Sequence, residues 1–415
     1  MLNPARLYVL LFSLYWAQGL PVGFMTHALP VILRAQGVSL AHIGGFGLLM
    51  LPWSIKIFWA PLVDRFGWSK LGHYRSWIIP TQLLSVVILI LLSFFPIDEL
   101  NQPFTLSIFF ILFLCLNLTG ATQDIATDAL AVNLLKTDQQ HWGNTFQVIG
   151  SRLGFIVGGG VVLWALDGFS WQITFWMLAL IVLLNTLPIL FYQQSHDHTA
   201  QHFETSQKRV SFKQYFQYFT HSKELRSWLV VLVTFKVADG LSGPLLKPLM
   251  VDLRLNFTQI GVYITMLGAC AALLGAAIAG YLLKKYARAQ LLIWFSLLKV
   301  LSLCAYVGLA FAYEQKIVIS HWIVYVVNAV EDAISAMLLV VMLTLIMQYS
   351  RKMLAGTDFT FQVAIMATMS GGLYTISGIL GDWLGYFIYL NIIVVVAMLC
   401  VIPMFIWKQH YQKNG

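Results

Sequence analysis

The sequence predicts an all-α membrane protein of about twelve transmembrane helices, arranged as two parallel six-helix repeats. Three observations carry this. Of the 415 residues, 59% are hydrophobic and 10% are charged, whereas soluble domains carry roughly 25% charged residues. Apolar runs of about 20 residues, each enough to cross ~30 Å of hydrocarbon, recur between short polar segments. Short strings in the first half also return in the second at a nearly constant offset, the mark of an internal duplication.

The expected spans fall at 7–33, 41–62, 76–95, 104–135, 143–166 and 171–192, then at 226–249, 257–283, 290–313, 320–349, 359–381 and 385–407. The first begins a few residues after Met1 and has no small-residue cleavage site, so it reads as a retained span rather than a signal peptide. Gly19, Pro21 and Gly23 predict a bend in it, and Gly240, Gly243, Pro244 and Pro248 predict another in the seventh. The second ends at a loop, Ala60 to Gly67. The fourth carries Asp124 and Asp128, and the fifth carries Arg152. Gly158, Gly159 and Gly160 in the fifth suit close helix packing rather than phosphate binding. No nucleotide loop of the Walker type is present, which disfavours direct ATP drive.

The long polar stretch from Gln193 to Glu224 divides the spans six and six. The expected domains are an N-terminal bundle over 1–192, a cytoplasmic linker over 193–225 and a C-terminal bundle over 226–415. Aromatic residues between Ser211 and Phe219 suit the membrane surface. His196, His198 and His202 have no carboxylate cluster or Cys beside them and read as a solvated loop, so no metal site is expected. Cys115, Cys270, Cys304 and Cys400 stand alone within spans and form neither a disulfide framework nor a metal pattern. No cofactor is expected.

With both termini cytoplasmic, the inner loops collect Arg65, Lys70, Arg75, Lys136, Lys208, Arg209, Lys284, Lys285, Arg351 and Lys352, while the outer side keeps Arg34, Arg254 and Lys316. That asymmetry obeys the positive-inside rule over the whole chain. The net charge of +8 therefore reflects topology and anionic headgroups, and no nucleic-acid partner is expected.

The duplication rests on four pairs in the same order. Ala17-Gln18-Gly19-Leu20 matches Ala238-Asp239-Gly240-Leu241, Ile43-Gly44 matches Ile260-Gly261, and Gln123-Asp124 matches Glu331-Asp332. Thr145-Phe146-Gln147-Val148 recurs letter for letter as Thr360-Phe361-Gln362-Val363. Six spans is an even number, so the second half keeps the orientation of the first. Parallel repeats about an axis along the membrane normal are the architecture of the major facilitator superfamily, with the solute near the midplane.

Asp124 and Asp128 lie one helical turn apart on one side of their helix. Each acid costs on the order of 2.5 to 3.5 kcal/mol at the centre of an inserted helix, so such residues usually face a water-filled path or a charged partner. The other charges expected within spans are Lys56, Arg152, Lys236, Asp239, Lys247, Lys299, Glu331 and Asp332. Arg152, on the antiparallel fifth span, is expected to pair with Asp124 or Asp128. Lys236 and Asp239 are three apart and can pair locally. Glu331 and Asp332, about 100° apart on a helix, are not both expected to face a cavity, and the repeat match favours Asp332. Asp128 aligns with Ala336 and has no acidic counterpart. A carboxyl that moves relative to a cation as access alternates would load and release a proton, which makes this set the proton-coupling candidates. A static ion pair fixing helix packing is the alternative. Gln18, His27, Trp53, Lys56, Gln123, Gln147 and Gln362 are the candidate solute contacts.

The loop Ala60-Pro61-Leu62-Val63-Asp64-Arg65-Phe66-Gly67 is similar to the superfamily's cytoplasmic motif. Its carboxylate can sit at the N-terminus of a neighbouring helix and pair with Arg, so Asp64 and Arg65 are expected to act as a conformational latch. The matching place in the second half, Gly280 with Lys284 and Lys285, has no acid, so the latch is expected on one side only. Longer strings sharpen the resemblance: Gly19-Leu20-Pro21, Leu29-Pro30 through Gly44, Leu51-Pro52-Trp53-Ser54-Ile55-Lys56, Trp59 through Arg65, and Thr122-Gln123-Asp124-Ile125-Ala126-Thr127-Asp128. With Gly143-Asn144, Gln147 and Arg152-Leu153-Gly154, they resemble the muropeptide-permease and acetyl-CoA-transporter branch of the superfamily.

Within that branch, a chain of about twelve spans looks closest to single-component siderophore permeases of the rhizobactin and pyochelin importer type. The resemblance implies a proton-coupled importer of a siderophore or ferric siderophore in the bacterial inner membrane, acting as a monomer by alternating access. Import of an anhydromuropeptide for cell-wall recycling is the alternative. A drug or metabolite exporter of the same fold is a lesser one, and the Gln123-Asp124 signature argues against it. No nucleophile and base constellation stands out, so an enzyme is not expected.

Overall fold

The computed structural model describes residues 4–29, 32–33, 46–68, 70–100, 102–192, 212–255 and 259–414. Most of 30–45, with Arg34 and Ile43-Gly44, lies outside the described residues. So do 193–211 of the expected linker, with His196, His198, His202, Lys208 and Arg209, and the side chains of His27 and Lys247. The described secondary structure is helical throughout. Nine of the described helices are long and apolar enough to cross a membrane. The remaining expected spans are helical segments over 46–65, 140–168 and 355–384, which are interrupted or more polar.

Residues group into two compact units, Met1–Gln207 with Met347–Thr360, and Lys208–Ile346 with Phe361–Gly415. In the first, helix Pro4–Gly23 packs on Gln140–Phe155, helix Arg75–Ser93 packs on both Pro103–Leu134 and Trp171–Phe191. The close approach of the first pair is written in glycine. A Cβ on Gly19 would stand 2.5 Å from the Ser151 carbonyl oxygen, one on Gly154 would stand 2.5 Å from the Gly19 Cα, and one on Gly158 would overlap the Leu20 carbonyl oxygen. Backbones meet there because no side chain intervenes. Gly160 borders open space and has no such role. The same unit holds an aromatic core of Phe24, Phe109, Phe113, Trp171 and Phe175.

Helix Pro4–Gly23 continues through Pro21 and is followed by a π-helical turn at Phe24–Ala28. The second expected span is fragmented: 3₁₀ turns at Phe46–Met50 and Lys56–Phe58 flank Leu51–Ile55, and Ala60–Arg65 closes it. Pro52 and Pro61 sit at the starts of these short pieces, where a missing amide hydrogen is harmless.

In the second unit, helix Tyr386–Asn414 packs on Arg288–Glu314, Lys223–Phe235 and Val237–Asp252. The seventh expected span does break, but at Lys236 rather than at Gly240, Gly243, Pro244 or Pro248: Lys223–Phe235 ends there and Val237–Asp252 begins. Gly240 instead repeats the close packing of Gly19, since a Cβ there would meet the Ser370 carbonyl oxygen at 2.8 Å. Within the expected linker, Phe212–His221 forms a helix, with Phe219 buried against Phe361.

Candidate functional site

The fourth span delivers the first charged cluster. Asp124 and Asp128 project from Pro103–Leu134, and both are buried. Lys56, from the 3₁₀ turn that interrupts the second span, forms an ion pair with Asp124, with side-chain exposures of 6% and 12%. The lysine also lies over the Trp53 ring, 5.5 Å from its centroid. Asp128 is 2% exposed. Its Oδ1 accepts from the Tyr15 hydroxyl at 2.7 Å and from the Gln147 amide at 3.3 Å. Among the described residues, the cluster thus holds two acids against one cation.

Arg152 does not take the place expected of it. Among the described residues it pairs with neither acid, and its guanidinium lies over the Phe155 ring at 5.9 Å. Lys56 occupies the position instead, because a break in its helix turns the side chain onto Asp124. The polar candidates line up around the same helix. Gln18 donates to Thr127 Oγ1 at 3.1 Å, Trp53 donates to Asn117 Oδ1 at 2.9 Å, and Trp59 donates to Thr122 Oγ1 at 3.2 Å. Gln123 Nε2 and Gln147 Oε1 are buried and have no hydrogen-bond partner among the described residues, and such groups are the ones a solute or water would satisfy. Gln362 is different. It is fully buried, accepts from Trp228 Nε1 at 2.7 Å and donates to the Ile346 carbonyl at 3.2 Å, so it ties its own unit together rather than facing a solute.

The second unit holds another cluster. Lys236 pairs with Asp239 at 2.5 Å, as their spacing predicts, and Asp239 also takes Lys299 at 2.9 Å. Lys299 pairs further with Glu331 and donates to Ser335 Oγ at 2.6 Å. Two cations meet two acids. Glu331 and Asp332 diverge as adjacent helical positions must, and Glu331 joins the cluster. Asp332 accepts from Asn328 at 2.8 Å and packs where a Cβ on Gly268 would overlap it. Lys299 is visible in the sequence as an intramembrane charge, yet spacing offers no partner for it, since Asp239 and Glu331 lie on other helices.

Asp64, near the end of Ala60–Arg65, sits against the start of another helix. It is buried, and its carboxylate accepts from the Gly356 amide at 3.0 Å, the Thr357 amide and hydroxyl at 2.6 Å each, and the Tyr74 hydroxyl at 3.1 Å. Residues 355–384 form the helix whose free amides it caps. Burial pushes the Asp64 carboxyl up to about 6, while these hydrogen bonds hold it down. Arg65 does not pair with it and instead lies over the Phe66 ring at 5.2 Å. A bidentate Arg351–Asp358 pair, at 2.7 and 2.8 Å, braces the same helix start. Among the described residues, no group of three or more metal-ligating side chains occurs.

Comparison with known proteins places these features. The model of the acetyl-coenzyme A transporter 1 family matches residues 7–167, the stretch that holds Lys56, Asp64, Asp124 and Asp128. The chain is 27% identical over 290 residues to a putative transporter, AmpG 4, of Rickettsia conorii, covering 65% of this chain and 66% of that protein. It is 26% identical over 303 residues to the anhydromuropeptide permease of Escherichia coli K12, covering 72% of this chain and 59% of the permease. Among solved structures, it superposes on the Escherichia coli fucose:proton symporter with a TM-score of 0.68 at 16% identity, over 99% of both chains. That symporter is described as a major facilitator superfamily transporter. The chain is therefore a multi-pass, all-helical membrane protein with the major facilitator fold.

Proposed function

We propose that the protein is a secondary transporter of the bacterial inner membrane that imports an anhydromuropeptide-type solute by alternating access, coupled to protons. The observation that carries the coupling is the charge count around Asp128. Among the described residues, one cation, Lys56, serves two buried acids, and uncompensated charge in a low-dielectric interior is expensive. The cluster is neutral when it holds one proton and gains a negative charge when that proton leaves. Asp128 is the natural carrier, since Asp124 has the ion pair and Asp128, among the described residues, has neutral donors from Tyr15 and Gln147. Gln18, Gln123, Gln147, Trp53 and Lys56 are the proposed solute contacts of the first unit, and the Asp64 cap is the proposed latch.

The solute class departs from the sequence-based preference. A siderophore was the first expectation and a muropeptide the alternative; the named relatives favour the muropeptide. The orientation with both termini cytoplasmic rests on the positive-inside distribution of Lys and Arg.

Uptake in proteoliposomes, with and without an inward proton gradient, tests this reading. Labelled anhydromuropeptide is expected to accumulate only with the gradient. Asp128→Asn is expected to insert normally and to lose gradient-driven accumulation. Accumulation of a ferric siderophore in place of the muropeptide would overturn the solute class, and gradient-driven uptake by Asp128→Asn would overturn the coupling role.

A further inference from the structure

The second unit's cluster is balanced in charge but not in commitment. Lys299 has its three ammonium hydrogens engaged by Asp239, Glu331 and Ser335. Lys236, among the described residues, has Asp239 as its one hydrogen-bonding partner, over the Phe235 ring at 5.5 Å, and its side chain is 27% exposed. It stands at the break between Lys223–Phe235 and Val237–Asp252. A lysine within a continuous helix has its direction set by the helix; this one is held by the break, on the wall of a cavity. That cavity is lined by Thr234, Lys236, Asp239, Ser296, Lys299 and Ser335, among others, and its volume is about 30 Å³. Space of that size holds about two waters or one small planar group.

From this arrangement we infer that Lys236 is a subsite for a carboxylate of the solute. An entering carboxylate takes the ammonium hydrogens that Asp239 leaves uncommitted. Asp239 is not stranded if it yields its place, because its other oxygen stays 2.9 Å from Lys299. That second lysine is what separates the site from an ordinary i, i+3 ion pair, in which displacing the acid would leave it bare. The cavity admits an end group and not a whole sugar-peptide, so it reads one anionic terminus of a larger molecule. The inference deepens the proposed solute and rests on that reading for the identity of the molecule, but not for the chemistry of the end group.

The test separates the two. Acetate is the carboxylate probe and acetamide its neutral counterpart, with binding to the purified full-length protein followed by saturation-transfer NMR. Acetate is expected to bind the wild type, Lys236→Arg and the exposed-surface control Lys284→Met, and to lose about tenfold or more in affinity in Lys236→Met, the scale of a hydrogen bond to a charged group. Acetamide is expected not to bind. If Lys236→Met fails to fold, the double replacement Lys236→Gln with Asp239→Asn removes one charge of each sign and carries the same expectation. Equal acetate binding with and without Lys236, or equal binding of acetamide, overturns the subsite. In the transport arm, Lys236→Met is expected to raise KM for an anhydromuropeptide with free carboxylates and not for its amidated form; an equal effect on both overturns the subsite as well. Wild-type protein that binds acetate at Lys236 yet takes up no anhydromuropeptide overturns the proposed solute and upholds the subsite.

Discussion

Removing Lys56 should expose how much of the first unit depends on one ion pair. The pair is deeply enclosed, with side-chain exposures of 6% and 12%, so neither charge has water to fall back on. Lys56→Met leaves Asp124 buried beside Asp128 with no cation, and Asp124→Leu leaves the ammonium bare. Breaking a buried pair from one side costs about 3–5 kcal/mol, whereas replacing both partners by apolar groups is close to neutral. The double variant also loses the contact with the Trp53 ring, 5.5 Å away, worth about 1–2 kcal/mol when desolvated. The double-mutant cycle is therefore expected to show each single variant destabilised by about 4 kcal/mol, the double by about 2, and a large favourable coupling between the positions. Reversible denaturant unfolding in mild detergent, followed by tryptophan fluorescence, measures all four corners. Additive single effects, or single variants within about 1 kcal/mol of wild type, would refute the reasoning. Uptake by a stable double variant then separates structure from transport: the fold should survive without the pair, and proton-coupled accumulation should not.

Two further outcomes follow from the geometry. Gly158→Ala should destabilise the first unit by about 3 kcal/mol or more, because its Cβ would overlap the backbone of Leu20. Gly160→Ala, which borders open space, should be neutral or slightly stabilising; equal melting temperatures for the two variants would contradict the packing. The Asp64 cap should respond to pH. Its carboxyl is raised from 3.8 to about 6, so the proton is held more tightly in the capped arrangement than in the released one. The stabilisation is full below the ordinary carboxylate pKa and is lost as pH rises through 6, a change of about 3 kcal/mol for a two-unit shift. Hydrogen exchange at the Gly356 and Thr357 amides, corrected for intrinsic base catalysis, should show protection declining between those limits in the wild type. A flat profile there, or the same decline in Asp64→Asn, would contradict it.

Much of the architecture is legible because lipid leaves few options. A backbone in hydrocarbon must satisfy its own hydrogen bonds, so long apolar runs become helices, and this holds for the nine clear spans. The glycine run at 158–160 foretold the close packing of Gly158, whereas Gly19 was expected to bend its helix and is found at a close backbone contact. The partners of charges were harder. Lys236 and Asp239 are readable as a pair because i, i+3 neighbours share a helix face. Asp124 and Lys56 are 68 positions apart, and no local rule joins them. Arg152 was the better chemical match for a carboxylate, yet the helix it belongs to points it at Phe155. Repeat alignment likewise favoured Asp332 over Glu331, because alignment compares letters and a one-residue step turns a side chain by about 100°.

By itself, the sequence determined that this chain lives in a bilayer, that its halves are duplicates, and which few charged residues must be justified there. Tertiary structure decided how those charges combine across helices: among the described residues, two acids beside one lysine in the first unit, and two acids with two lysines in the second. The physical reason is that the cost of a charge in hydrocarbon is a property of the residue and can be read from one letter. Its compensation is a distance of a few ångströms between helices, which no letter carries.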